Sequence, residues 1–177
     1  MGQLIDDSAI ETSQELIRRF RQAAESSSEL KDALWYFGRA SVAELDRDIL
    51  LESSIGLETL LVSGSGDSRY RFALHGAVVL SNTDQQGSDL FRNLLDIYGA
   101  RSGAAHGGRK SLATIATRSR RYLAEAIRAI AGLVLARTIQ RGRVSEAVQQ
   151  YVIERATKVS GKDDQENSRI TAPGIRE

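Results

Sequence analysis

The sequence contains no cysteine, one proline and two histidines among its 177 residues. Without cysteine the chain forms no disulfide and binds no metal through thiolates. His75 and His106 match no metal-ligand spacing, so the sequence predicts neither a metal centre nor a cofactor. No apolar run reaches the roughly 18 residues of a membrane span, and the first residues lack the pattern of a secretory signal. We therefore expect a cytoplasmic protein that does not associate with membranes.

Charge is distributed unevenly along the chain, although the net charge is only +1. Residues 1–68 carry a formal charge of −7, residues 69–143 carry +9 and residues 144–177 carry −1. Of the 13 basic residues in the middle block, 12 are arginine, the side chain whose forked donors suit phosphate groups. Solvated helix faces would explain any single arginine, but their concentration in one block favours an anionic partner.

Apolar residues recur with helical period through most of the chain, which predicts an all-α protein. Capping boxes, in which a serine is followed three residues later by a glutamate, begin at Ser8 and Ser41. Gly99 is expected to disturb or end the fifth helix. Residues 1–157 are predicted as one helical domain, and the polar residues 158–177 as a disordered tail. The predicted helices cover about 8–26, 29–38, 41–62, 70–80, 88–98, 111–140 and 144–157.

The most informative segment is Arg101-Ser-Gly-Ala-Ala-His106, which places a guanidinium and an imidazole a few residues apart. Arginine offers fixed charge to phosphate oxygens, and histidine moves protons near neutral pH. Together they suit the cleavage of an RNA phosphodiester. On an ideal helix the two residues would point about 140° apart. Either the helix breaks at Gly103, or a two-fold dimer brings two copies of the pair into one cleft.

Three stretches carry a family resemblance: Ile49 to Leu61, Arg69 to Leu74, and Leu94 to Gly108. In order and spacing they resemble the ApeA-like branch of the HEPN superfamily over roughly Leu45 to Ala136. The resemblance implies an antiparallel helical bundle that dimerises and, in active members, cleaves RNA without metal through an arginine, four to six intervening residues and a histidine. That pattern falls on Arg101 and His106. Active members often have Asn, Asp or His after the arginine, whereas this chain has Ser102.

The expected function is thus that of a metal-independent endoribonuclease in prokaryotic antiphage defence or toxin-like RNA cleavage, as a homodimer with an antitoxin or defence-system partner. The alternatives are an inactive HEPN dimer that binds RNA, a nucleotide or a protein, and a purely structural adaptor. Glu58 is predicted to orient Arg101 or to receive a proton, unless it is a structural carboxylate. His75 is expected to be a packed or capping residue, and Tyr98 to pack in the core or stack on a base. The residues predicted to contact RNA are Arg69, Arg71, Arg109 and Lys110.

Overall fold

The computed structural model describes residues 7–81, 84–105, 112–136 and 143–155, and all regular structure in these ranges is helical. The all-α prediction is therefore confirmed for this part of the chain. The predicted tail and the residues from His106 to Ser111 lie outside the described ranges. The helices are α1 (Asp7–Glu25), α2 (Ser28–Val42), α3 (Asp46–Leu61), α4 (Ser68–Leu80), α5 (Asp84–Ala105), α6 (Ala113–Leu135) and α7 (144–155).

The centre of the molecule is the pair α3 and α6, which pack against each other over a long contact. Each carries a stripe of aliphatic side chains that are shielded from water in the core. Helix α2 covers α3 on one side, while α4 and α5 form a second closely packed pair. The stripes comprise Leu50, Leu57, Leu60 and Leu61 on α3, and Leu123, Ile130 and Val134 on α6.

Two glycines allow these helices to approach closely. A Cβ at Gly56 of α3 would lie 2.9 Å from Leu123 Cδ2 of α6, and one at Gly76 of α4 would lie 2.6 Å from Leu94 Cδ1 of α5. Such separations are shorter than van der Waals contact, so a larger residue would force the leucines to move. Gly76 thereby sets how closely α5 packs on α4.

The predicted start of α3 at Ser41 is wrong. Helix α2 continues to Val42, and the Ser41 hydroxyl donates 2.8 Å to the Phe37 carbonyl inside that helix. Serine can bond the preceding turn in this way as readily as it caps a new helix, so the capping-box pattern alone did not distinguish the two. Helix α3 instead begins at Asp46, after Leu45 in an extended conformation.

Helix α5 also departs from the predicted range of 88–98, because it starts before residue 88 and does not end at Gly99. It begins at Asp84 and runs through Gly99 and Gly103 to Ala105. Glycine in a helix costs only about 1 kcal/mol relative to alanine. Ile97 and Ala104 flank Gly99 and are both buried, and we attribute the continuity of the helix to their packing.

Polar contacts attach α7 to the rest of the bundle. The Glu29 carboxylate of α2 accepts hydrogen bonds from the backbone N–H of Ser145 at 2.9 Å and from its hydroxyl at 2.7 Å, so it caps the first turn of α7. One helix turn later, Gln149 accepts a bond of 2.7 Å from Ser63, which follows α3. Helix α7 is therefore attached through its first two turns to the start of α2 and to the residue segment that follows α3.

Candidate active site

Glu58 of α3 and Arg101 of α5 form an ion pair across the bundle, although 43 residues separate them in sequence. Arg101 Nη1 donates to Glu58 Oε2, and each side chain is 28% exposed. Glu58 lies on the same helix as the buried Leu60 and Leu61, but its own side chain is only partly buried. It therefore lies at the edge of the core. The contact fixes the guanidinium in place while leaving part of it accessible to solvent.

Tyr98 supports the same guanidinium from within α5. Its ring centroid lies 5.7 Å from Arg101 Cζ, a distance typical of a cation–π contact. On its other side the ring packs edge-on against Phe72 of α4 at 5.4 Å between centroids. Of the two interpretations of Tyr98, the packed one matches this position, since the ring is held between the core and Arg101.

The residues after Arg101 form an open helical surface. Ser102 and Gly103 are exposed, and a Cβ added at Gly99 or Gly103 would meet nothing within 4 Å. His106, Arg109 and Lys110, which the sequence places next to this surface, lie outside the described residues. Because the helix runs unbroken to Ala105, the suggested break at Gly103 does not occur.

Arg69 and Arg71, predicted together as RNA contacts, occupy different environments. Arg69 is exposed. Arg71 donates from Nη1 to the Ser63 carbonyl and from Nη2 to the Gly64 carbonyl, the latter at 3.3 Å. Gly64 and Gly66 have φ values of 68° and 122°, which favour glycine. The Arg71 guanidinium therefore holds the loop between α3 and α4.

His75 is packed and capping, as predicted. The side chain is buried, and Nδ1 donates 2.6 Å to the carbonyl of Leu61, the last residue of α3. Because a carbonyl only accepts, the bond fixes the neutral tautomer with its proton on Nδ1. Burial lowers the pKa of His75 below its ordinary value, and the nearby Arg71 charge acts in the same direction, while the bond to Leu61 opposes both.

The sequence analysis missed a hydrogen-bonded network between α5 and α6. Arg118 Nη1 donates 2.8 Å to Asn93 Oδ1, and Asn93 Nδ2 donates 3.2 Å to the Tyr122 hydroxyl. These groups line a groove with a volume of about 650 Å³. They belong to two helices and lie 25 and 29 residues apart in sequence, so no local motif signals them.

No protein-family model, curated protein or solved structure matches this chain.

The described ranges lack both a cluster of metal ligands and a helix that could span a membrane. No three His, Cys, Asp or Glu side chains in these ranges lie close enough to bind a metal ion together. None of the helices traced there is both long enough and apolar enough to cross a bilayer.

Proposed function

We propose that this chain is a HEPN-type endoribonuclease that cleaves RNA without metal, with Arg101 and His106 as its catalytic residues. The observation that carries the proposal is the ion pair between Glu58 and Arg101. Among the ion pairs that arginines of the basic block form in the described part of the chain, it is the one that joins two helices, and its arginine belongs to the Arg-x4-His pattern. The proposed setting is antiphage defence or toxin-like cleavage in a prokaryote, with an antitoxin or defence-system partner.

The chemistry assigned to the pair is an intramolecular transesterification that expels the downstream fragment of the strand with a free 5′-hydroxyl. The ribose 2′-oxygen loses its proton to a base and forms a bond to phosphorus, and the bond from phosphorus to the 5′-oxygen breaks as that oxygen gains a proton. A histidine with a pKa near neutrality suits both proton transfers, each typically contributing about 10² to 10⁴ in rate. The products are a 2′,3′-cyclic phosphate and a 5′-hydroxyl.

Arg101 is assigned the charge that builds up on the pentavalent phosphorus. A guanidinium has five N–H donors, and the contact with Glu58 uses a donor on Nη1. The donors that remain are partly open to solvent, so a phosphate oxygen has access to them. Glu58 acts as a positioning residue in this scheme, because a guanidinium held in advance pays no reorganisation cost during the reaction.

A two-fold dimer is part of the proposal. One chain offers a single motif histidine, and proton removal and proton donation call for two groups or one that exchanges roles. Two arginines and two histidines meet in one cleft only when two copies of the chain associate, and a helix that continues through Gly103 to Ala105 is compatible with that arrangement. The exposed small residues Gly99, Ser102 and Gly103 support it, because they permit close approach of a second copy.

The test is an incubation of the purified chain with single-stranded RNA in excess chelator. We expect RNA to be cut and DNA of the same sequence, which lacks the 2′-hydroxyl, to remain intact. His106→Ala and Arg101→Ala should each slow cleavage about 10²-fold or more without changing the circular dichroism spectrum. RNA that stays intact in every buffer refutes the proposed activity.

A second candidate is a HEPN dimer that binds RNA without cutting it. Ser102 favours it, because this chain lacks the Asn, Asp or His that often follows the arginine in active members. Salt-sensitive RNA binding without cleavage is the result that would select this candidate over the first.

A further inference from the structure

The groove between α5 and α6 is separate from the Glu58–Arg101 pair. Its volume of about 650 Å³ lies within the range typical of small-ligand sites. Counted from Asn93, which lines it, Arg101 lies eight residues further along α5, or about 12 Å along the helix axis. The polar residues that line the groove are Asn93, Thr114, Thr117, Arg118, Arg121 and Tyr122.

Arg118 is held in the groove by neutral groups. Its guanidinium donates to the Asn93 amide, and that amide donates to the Tyr122 hydroxyl. Tyr122 as a whole residue is only 3% exposed. In the part of the chain that the structure describes, no carboxylate forms an ion pair with Arg118. The guanidinium is thus oriented without its charge being neutralised.

The surroundings of Arg118 fit an anion. Arg121 lines the same groove, and the exposed Thr114 and Thr117 add hydroxyl donors. None of the described residues that line this groove is acidic. Arg121 also pairs with Glu125 at 3.7 Å, and Glu125 lines an adjoining cavity together with Asp89. The Arg118 guanidinium, which has no carboxylate partner in the described part of the chain, and the neighbouring threonine hydroxyls form a donor set that suits phosphate oxygens.

We propose that this groove binds a phosphate of the single-stranded RNA, at a second point on the strand that reaches Arg101. The identity of the strand rests on the proposed function, whereas the phosphate chemistry does not. The only aromatic residue among the described lining is Tyr122, and its buried ring offers no surface for stacking a base. Recognition at this point therefore reads the backbone and is independent of sequence.

The experiment measures binding of a short single-stranded 2′-O-methyl RNA, which cannot be cleaved, by fluorescence anisotropy over a range of salt concentrations. For single strands, each phosphate contact contributes about −0.7 to the slope of log K against log salt. Arg118→Gln should therefore make the slope shallower by about 0.7 and weaken binding about eightfold near 50 mM salt. Arg19→Gln is the matched control, since Arg19 is exposed on α1, outside the basic block, and it should leave the slope unchanged.

Thr117→Glu provides a second variant at an exposed position that does not support the core. The new carboxylate should weaken RNA binding by more than Arg118→Gln does, whereas Gln22→Glu, an equal charge change at an exposed site on α1, should have little effect. Thermal melts confirm that each variant is folded. If Arg118→Gln and Thr117→Glu bind RNA like their controls, or if the unaltered chain binds no RNA at low salt, the proposal is overturned.

Titration with ATP distinguishes a strand from a free nucleotide. We expect weak ATP binding, since an isolated nucleotide makes one of the contacts that a strand makes several times. ATP binding that is tighter than RNA binding and is lost in Arg118→Gln would overturn the assignment to a strand.

Measuring RNA cleavage beside RNA binding distinguishes this inference from the proposed function. A chain that binds RNA through Arg118 without cutting it contradicts only the function, and one that cuts RNA with Arg118 irrelevant contradicts only the inference.

Discussion

Removing either partner of the Glu58–Arg101 pair should affect stability and catalysis in different proportions. Exposed ion pairs contribute about 0.2–1 kcal/mol, and breaking a buried pair costs about 3–5 kcal/mol. Both side chains are 28% exposed, so we expect a coupling free energy of about 1–2 kcal/mol. A double-mutant cycle with Glu58→Ala, Arg101→Ala and the combined variant, followed by urea unfolding, measures it.

Cleavage rates of the same variants test whether Glu58 acts through Arg101. Arg101→Ala should reduce the single-turnover rate about 10²- to 10³-fold, as expected for loss of a charge that stabilises the transition state. Glu58→Ala should reduce it about tenfold, because the guanidinium remains but is no longer held in position. In the double variant, Glu58→Ala should lower the cleavage rate hardly at all below that of Arg101→Ala alone.

Glu52 of α3 supplies a matched control. Its carboxylate pairs with Arg39 of α2 at 2.6 Å, with the Glu52 side chain 17% exposed. Glu52→Ala should lower the free energy of unfolding by a similar amount and leave the cleavage rate unchanged. Rate losses that multiply in the double variant of Glu58 and Arg101, or an equal loss in Glu52→Ala, would refute the positioning role.

Three further predictions concern the fold and its assembly. Because burial lowers the pKa of His75 from 6.5, the unfolded chain binds more protons below that pH. The contribution of His75 to the free energy of unfolding, measured with urea, should therefore be fully present above pH 6.5 and decrease as the pH falls. In His75→Asn the free energy of unfolding should depend less on pH. Gly56→Ala should destabilise the protein by about 1 kcal/mol, because overpacking against Leu123 exceeds the gain in helix propensity. Gly132→Ala, whose added Cβ meets nothing within 4 Å, should stabilise the protein by up to about 1 kcal/mol. Equal shifts of the melting temperature in the two variants would contradict this reasoning. Gly103→Trp should leave the circular dichroism spectrum unchanged, convert the dimer to a monomer in light scattering and abolish cleavage. A variant that remains a dimer would place the dimer interface elsewhere.

Periodicity and local signals predicted the interior of most helices and several of their limits, such as both ends of α1 and the start of α2. Helix α4 was expected over 70–80 and is found at Ser68–Leu80, because its apolar pattern and the preceding Gly-Ser run agree. At Ser41 and Gly99 the local signals for a helix start and a helix end gave the wrong boundary. At Ser41 the hydroxyl bonds back to the Phe37 carbonyl, and at Gly99 the packing of Ile97 and Ala104 accompanies a continuous helix. A short window of sequence shows neither contact.

The sequence predicted those residues of the candidate site that belong to the Arg-x4-His motif or to the stretches that carry the family resemblance. Glu58 was predicted to orient Arg101 or to receive a proton, with a solvent-facing or structurally paired carboxylate as the alternative, and the structure pairs its carboxylate with Arg101. Arg71 was grouped with Arg69 as an RNA contact because both are arginines near one helix start, but only the folded loop reveals the carbonyls that engage Arg71. The groove around Arg118 had no signal at all, since its residues converge only when α5 crosses α6.

Mass spectrometry of RNA fragments produced in excess chelator tests the central claim most directly, because the termini report which oxygen attacked the phosphorus. The proposed roles of Arg101 and His106 predict fragments that end in a 2′,3′-cyclic phosphate and begin with a 5′-hydroxyl, and none of them in His106→Ala. Fragments with 3′-hydroxyl and 5′-phosphate ends, or RNA that remains intact, would contradict the account.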